Sequence, residues 1–415
     1  MALLKFKKSV ARKSDMISKL IIKPYKPSIL ALLLGCFFIG SQSSWAQEDK
    51  KPKNKSFWSN LDSIRAAKIE RGQSLFTPYI APAFSPELGF LISAGGLYSF
   101  QVQKDNPIVE RSSVPFAVGI SSNGSVTANG RITLHGKNDN IRLSGVVWYK
   151  KMPDNYFGVG YDAGRNTPLS DSTTTYNRKW IQFNYKLVKR FQKYWFWGGI
   201  LDINRTNAKE TSDYFLNDEF VQRFGRISKN AGVGATIQYD SRDLIVNAYE
   251  GTFLDLSFTT YGRFLGGVNR YEVLSLDYRQ YEKLASRRSV FAWQLNFRHT
   301  FRDAPWPELS QLGTPFDLRG YRWGRFRDEA MLYGLFEYRH MFGEPSEKFS
   351  FKNRSGFVTW IGGGSVGSTI TDFRQWLPNA GVGYRFETEP RMNIRIDYGF
   401  GIDSQFFYIS FNEAF

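Results

Sequence analysis

Four arginines lie within the eleven residues from Leu318 to Asp328, together with three aromatic residues and two glycines. Guanidinium groups bind carboxylates and phosphates through paired hydrogen bonds, and they stack on aromatic rings. Two interpretations are open. The stretch is either a solvated surface loop that meets acidic lipopolysaccharide, or a loop folded inward. In the second case Arg319 reaches a carboxylate and Gly320 permits a close backbone approach.

The segments on either side of this basic stretch alternate between apolar and polar residues. Between 289 and 301 the odd positions are mostly large and apolar, whereas most even positions are polar. After the stretch, Leu332 and Phe336 share one face, while Glu337 and Arg339 share the other. A period of two with apolar residues opposite charged ones is typical of a strand between lipid and a wet lumen.

Similar alternating segments continue from Ser74 to the end of the 415 residues. They predict an all-β fold: a transmembrane antiparallel β-barrel of about 16 strands, of the bacterial outer-membrane type, over residues 74–415. The last strand is predicted over 405–415. The long connections at 151–175, 207–229, 302–329 and 367–377 are all expected on the outer side, if the amino terminus is periplasmic.

The first residues read as an export signal. Lysines and arginines crowd positions 5–26, an apolar run covers Ile29 to Ile39, and Ser44-Trp45-Ala46 offers small residues for cleavage. We therefore expect residues 1–46 to be a signal peptide. It contains Cys36, the only cysteine, so no thiol is expected in the mature protein. Residues 47–73 are expected to form a short periplasmic leader, with a possible helix.

Several segments resemble the bacterial surface antigen family of BamA- and TamA-like outer-membrane barrels. The resemblance is carried by "GTPFDLRGYRWGRFRD" (313–328), "LYGLFEYRHMF" (332–342), "NYFGVGYDAG" (155–164) and "AGVGYRFETEPRMNIRIDYGFG" (380–401). It implies an outer-membrane location and a role in inserting or translocating other proteins. Members of this family carry periplasmic POTRA modules. The 27 residues of 47–73 are too few for one.

The resemblance also implies roles for individual residues. The family's Arg-Gly-aromatic loop motif is matched by Arg319, Gly320 and Tyr321, and an acidic partner on the barrel wall is matched by Glu337. The next strand often adds an aspartate, but residues 356–367 contain no acid, so one partner is expected. The alternative for Glu337 is that it simply lines a wet pore.

Two further features concern the first and last strands. Phe407, Ile409, Phe411 and the final Phe415 resemble the signal that the outer-membrane assembly machinery reads, although Glu413 departs from it. The seam between the first and last strands would be the working element in this family. Pro78 and Pro82 lack N–H groups there, and Gly401 is expected to be a flexible hinge.

No enzyme motif accompanies these features. The single Gly-x-Ser-x-Gly pattern, at 363–367, lies at the end of the predicted strand 356–366 and runs into a loop, so it has no strand-to-helix setting, and neither do the glycines near 158–164. We therefore expect no catalytic residues, no metal and no cofactor. The expected partners are outer-membrane lipids, lipopolysaccharide and client outer-membrane proteins, with no nucleic acid. Two alternative functions remain open: a passive channel gated by the loop 302–329, and a structural surface barrel.

Overall fold

The computed structural model describes residues 68–69, 71–103, 109–284, 288–343, 351–389 and 391–415. The expected signal peptide and most of the expected leader lie outside these residues. Among the described residues, no helix is long and apolar enough to cross a membrane.

Sixteen antiparallel strands form one closed barrel, which confirms the predicted fold class. Each strand pairs with its neighbour in sequence, β11 pairs with β14, and β18 returns to β1. The barrel strands are β1 (Leu75–Ser85), β2 (Gly89–Phe100), β3 (Ser112–Ser121), β4 (Val126–His135), β5 (Ile141–Asn155), β6 (Thr175–Gln192), β7 (Trp195–Lys209), β8 (Ile227–Asp240), β9 (Gly251–Tyr261), β10 (Tyr271–Lys283), β11 (Ser289–Arg302), β14 (Ala330–Met341), β15 (Ser355–Gly367), β16 (Leu377–Glu389), β17 (Met392–Gly401) and β18 (Ser404–Phe411).

Two short strands lie outside the barrel wall. β12 (Ser310–Leu312) and β13 (Phe326–Asp328) pair with each other inside the connection between β11 and β14. Four short helices lie in connections between strands of the described residues: α1 (Tyr161–Asn166), α2 (Asp213–Leu216), α3 (Glu219–Phe224) and α4 (Phe351–Arg354). We call the end of the barrel with the connections 156–174, 210–226 and 303–329 the loop end, and the opposite end the turn end.

The two faces of each strand differ in chemistry. In β17, Tyr398 and Phe400 are exposed on the outer face, whereas Arg395 and Asp397 are fully buried on the inner face. Successive side chains of a strand point to opposite faces, so a wall with this pattern separates lipid from a polar lumen. A barrel of this size leaves a lumen that something else can occupy. Here the connection 303–329 occupies part of it.

The last strand is shorter than predicted, so the predicted range 405–415 was wrong at its end. β18 stops at Phe411, and Asn412 takes a left-handed conformation with φ 61°. Asparagine adopts this conformation more readily than most residues. The chain then turns into the lumen, where Glu413 bonds to Arg385 and Phe415 is buried.

Candidate functional site

The connection 303–329 carries the basic stretch into the barrel. The turn before Arg319 is held by Asp317, whose Oδ1 accepts hydrogen bonds from the backbone N–H groups of Gly313 and Thr314, both at 2.8 Å. Burial raises the pKa of this carboxyl to about 6. Leu318, Arg319 and Gly320 follow, and Leu318 and Arg319 have no exposed surface. The tip of the loop is therefore folded into the barrel and is not solvated.

Arg319 contacts carboxylates from two different strands. Its Nη2 forms an ion pair with Glu337 of β14, and its Nη1 lies 2.9 Å from Asp397 of β17. The guanidinium carbon also lies over the ring of Trp360 in β15, 3.6 Å from the ring centroid. Charged hydrogen bonds of this kind are among the strongest in proteins, and aromatic faces attract cations.

These residues belong to a larger cluster of charges in the lumen. Arg339 pairs with Glu337 at 2.9 Å, and Arg385 pairs with Asp397 at 2.6 Å. Glu413 binds the other side of Arg385 at 2.8 Å. With Arg395, which lies 3.3 Å from Asp397, the cluster contains four guanidiniums and three side-chain carboxylates, a side-chain charge of 4 − 3 = +1, and Arg339 also donates to the main-chain oxygen of Phe415 at 3.0 Å. Every one of these side chains is at least nine-tenths buried.

Gly320 and Tyr321 fix the loop tip against the strands nearest the seam. Gly320 has φ 114°, and a Cβ there would lie 2.7 Å from the backbone of Phe400. Its N–H donates to the hydroxyl of Tyr408 at 3.1 Å. The Tyr321 hydroxyl donates to the carbonyl of Pro378 at 2.7 Å. The loop tip is thus bound to β16, β17 and β18 together.

The middle of the same loop binds the other side of the seam. The backbone N–H of Trp323 donates to the Glu87 carboxylate at 3.0 Å, and Arg322 donates to the carbonyl of Pro86 at 3.3 Å. Pro86 and Glu87 form the turn between β1 and β2. One loop therefore holds both β18 and the first hairpin, so it bridges the two sides of the seam.

The seam itself has one paired position. Phe84 of β1 is in register with Ile409 of β18, whereas β1 is paired with β2 along its whole length. In that register Phe411 stands opposite Pro82, so the part of β1 before Pro82, Pro78 included, extends past the end of β18. Seam pairing is therefore minimal.

Gly401 and the aromatic residues near the end of the chain lie on β17, on β18 and in the lumen. Gly401 ends β17, where a Cβ would come within 2.6 Å of the Tyr321 ring, so close packing against the loop gives a reason for glycine there. Phe407 points outward and lies 5.9 Å from the Phe84 ring. Phe411 ends β18, and Phe415 does not share that outer face, since it lies inside the lumen against Arg339.

Sequence reasoning missed Asp397 and Trp360 as contacts of Arg319, and Arg385 as the partner of Asp397. The missing aspartate of the strand after Glu337 is replaced by Asp397, which lies two strands further along. Its signal was available, because Asp397 alternates with apolar Ile396 and Tyr398 and must face the lumen. The pairing across 78 residues had no such signal.

A family model described as the Omp85 superfamily domain matches residues 137–406. BamA from Haemophilus ducreyi lacking POTRA domains 1–3 has a similar structure, with a TM-score of 0.56 and 12% identity over 85% of this chain and 78% of that chain. CdiB from Escherichia coli has a TM-score of 0.51 and 11% identity over 80% of this chain and 62% of that one. At these identities the two structures show a shared fold. No curated protein matches the sequence.

Proposed function

Because the chain belongs to the Omp85 superfamily and forms a barrel of the bacterial outer membrane, we propose that it inserts or translocates other proteins there, through the seam between β1 and β18. No catalytic residue is part of this proposal. Residues 1–46 would be removed on export, and residues 47–73 would remain as a periplasmic leader before the barrel at 74–415.

The single paired position of the seam carries the proposal. An unpaired backbone group in lipid costs several kcal/mol, so a barrel that only has to stay closed gains by pairing every strand completely. Fifteen of the sixteen strand junctions are paired over most of their length, and only the junction of β1 with β18 is reduced to one position. A free β1 edge could receive a strand of a client protein by β-augmentation.

The inward-folded loop supports the same function. Its tip is fixed by Arg319 and Gly320 to the strands on the β18 side of the seam. Its contacts with the β1 side are fewer, and they go to a turn: Glu87 and Pro86. We expect the first hairpin to move away from the loop when the seam opens, while β14 to β18 stay bound to the buried charges.

The main alternative is a channel gated by the connection 303–329. The loop lies in the lumen, as a gate would have to, but Arg319 and its two carboxylates have no exposed surface. A gate that opens by releasing them would strand buried charges, at about 3–5 kcal/mol. Opening the seam leaves that cluster intact, so the geometry favours the lateral route.

A reconstitution assay tests the function. The purified barrel is placed in lipid vesicles, and two quantities are scored side by side: the folding rate of an added client barrel and the ion conductance. We expect client folding above that of protein-free vesicles, with low conductance. Conductance at the level of an open porin without any gain in client folding would assign the channel function instead. An absence of both would leave a structural barrel.

A further inference from the structure

A cavity of about 330 Å³ lies directly behind the seam. Phe84 and Ile409, the one paired position between β1 and β18, form part of its wall. Both side chains belong to the outer face of the barrel by the alternation of their strands. The opposite wall is formed by inward-facing residues of β5 and β6 and by the loop. The cavity therefore lies between the two strands of the seam and the lumen.

Three tryptophans surround one lysine in this cavity. The ammonium of Lys150 lies 4.5 Å from the ring centroid of Trp148, 5.1 Å from that of Trp180 and 5.0 Å from that of Trp323. Tryptophan is the aromatic residue that attracts cations best. The rings attract the ammonium through their π faces, but they offer it no conventional hydrogen-bond acceptor. The N–H groups of the ammonium therefore remain available as donors.

The nearby carboxylates are bound elsewhere. Asp154 pairs with Arg178 at 3.1 Å, and Glu87 accepts the backbone N–H of Trp323. Within the described part of the chain, Lys150 forms neither a hydrogen bond nor an ion pair. A second cation, Arg178, lies on Trp180, 4.7 Å from that ring. The cavity thus combines largely apolar walls with an ammonium that forms no ion pair, although the Glu87 carboxylate also lines it.

We propose that this cavity binds an anionic membrane lipid, whose acyl chain enters through the seam and whose headgroup binds Lys150. The volume is within the range of small-molecule sites, and a few polar groups among apolar walls are typical of them. The acyl chain would pack between Phe84, Ile409 and the tryptophans. The headgroup would supply the acceptor that the ammonium lacks, in a charge-assisted hydrogen bond. The membrane is the nearest source of such a molecule, since β1 and β18, which form one wall of the cavity, face it on their other side.

The tryptophans allow a direct test by fluorescence. The full-length protein in neutral detergent is titrated with 9,10-dibromostearate, whose bromines quench tryptophans on contact, and separately with the uncharged methyl ester of the same acid. We expect a saturable quenching component with the acid and not with the ester. Lys150→Gln should raise the half-saturating concentration at least about tenfold, since a hydrogen bond to a charged group is lost. Lys150→Arg should retain binding.

Lys151→Gln is the matched control, because it removes the same charge from the opposite face of the same strand; its titration should equal that of the unmodified protein. Lipid-facing tryptophans contribute equally in all four proteins, and heat-modifiability gels verify that each is folded. Equal quenching by acid and ester, or saturation unchanged by Lys150→Gln, would overturn the proposal. Saturation by an apolar strand peptide but not by stearate would assign the cavity to a protein client and would also overturn it.

Discussion

Removing charges from the lumen cluster tests whether Arg319 and Glu337 work as a buried pair. The two substitutions differ in what they leave behind. Arg319→Met takes the seven-residue cluster from +1 to neutral, whereas Glu337→Gln takes it to +2. Both replacements keep most of the side-chain volume, so they change charge more than packing. The carboxylate substitution should therefore be the more damaging of the two.

The structure sets the magnitudes. Breaking a buried ion pair costs about 3–5 kcal/mol when the remaining charge has no partner. After Arg319→Met, Glu337 keeps Arg339 at 2.9 Å, and Asp397 keeps Arg385 at 2.6 Å. We therefore expect a loss of about 3 kcal/mol of unfolding free energy for Arg319→Met and about 4 kcal/mol for Glu337→Gln. The double variant should lose about 1–3 kcal/mol less than the sum, because the two residues contact each other.

The assay is chemical unfolding of the barrel in lipid vesicles, followed by tryptophan fluorescence and verified by heat-modifiability gels. Arg223→Met is the control, because Arg223 pairs with Asp303 at the surface, where both side chains are more than half exposed. Such a pair contributes about 0–1 kcal/mol. Strict additivity of the two lumen substitutions, or losses no larger than that of the control, would refute the reasoning.

Three further predictions concern the loop and the topology. Gly320→Ala should displace the loop tip and lower stability by about 1–3 kcal/mol, measured by the same unfolding assay, because φ 114° and the adjacent backbone exclude a side chain. Glu308 lies in the connection 303–329, where burial and the neighbouring Asp202 raise its pKa from 4.5 to about 7, so its contribution to stability should fall as the pH rises from about 4.5 to about 7; Glu308→Gln should flatten that dependence, and an unchanged pH profile would exclude Glu308 as its source. Protease applied to intact cells should cut within 156–174 or 210–226 and spare 342–354; cleavage only at 342–354 would invert the topology.

The barrel could be predicted from sequence because the alternation that reveals each strand is a local pattern. A strand between lipid and a wet lumen must alternate, so residues such as Met392 to Phe400 reveal both the strand and its inner face. The end of the last strand could not be read in this way. Phe411 and Phe415 fit the same alternation, and only the left-handed backbone at Asn412 sends Phe415 into the lumen.

The loop site was predictable in part. Composition and the resemblance of the motif pointed to Arg319 and to Glu337, which the structure places in contact. Asp397 and Arg385 come from strands brought beside the loop only when the barrel closes, and no local pattern encodes that contact. The contact of Lys150 with three tryptophans also has no local sequence pattern, because Trp323 comes from the loop, more than a hundred residues after Trp180.

A cysteine lock across the seam tests the central claim most directly. Phe84→Cys with Ile409→Cys, in a Cys36→Ser background, joins β1 to β18 at their one paired position. The matched lock is Phe291→Cys with Tyr338→Cys, which joins the fully paired strands β11 and β14. Oxidation of the seam lock should abolish assisted client folding and reduction should restore it, while the matched lock has no effect and ion conductance is unchanged in both. Client folding at the normal rate with the seam locked would contradict the account.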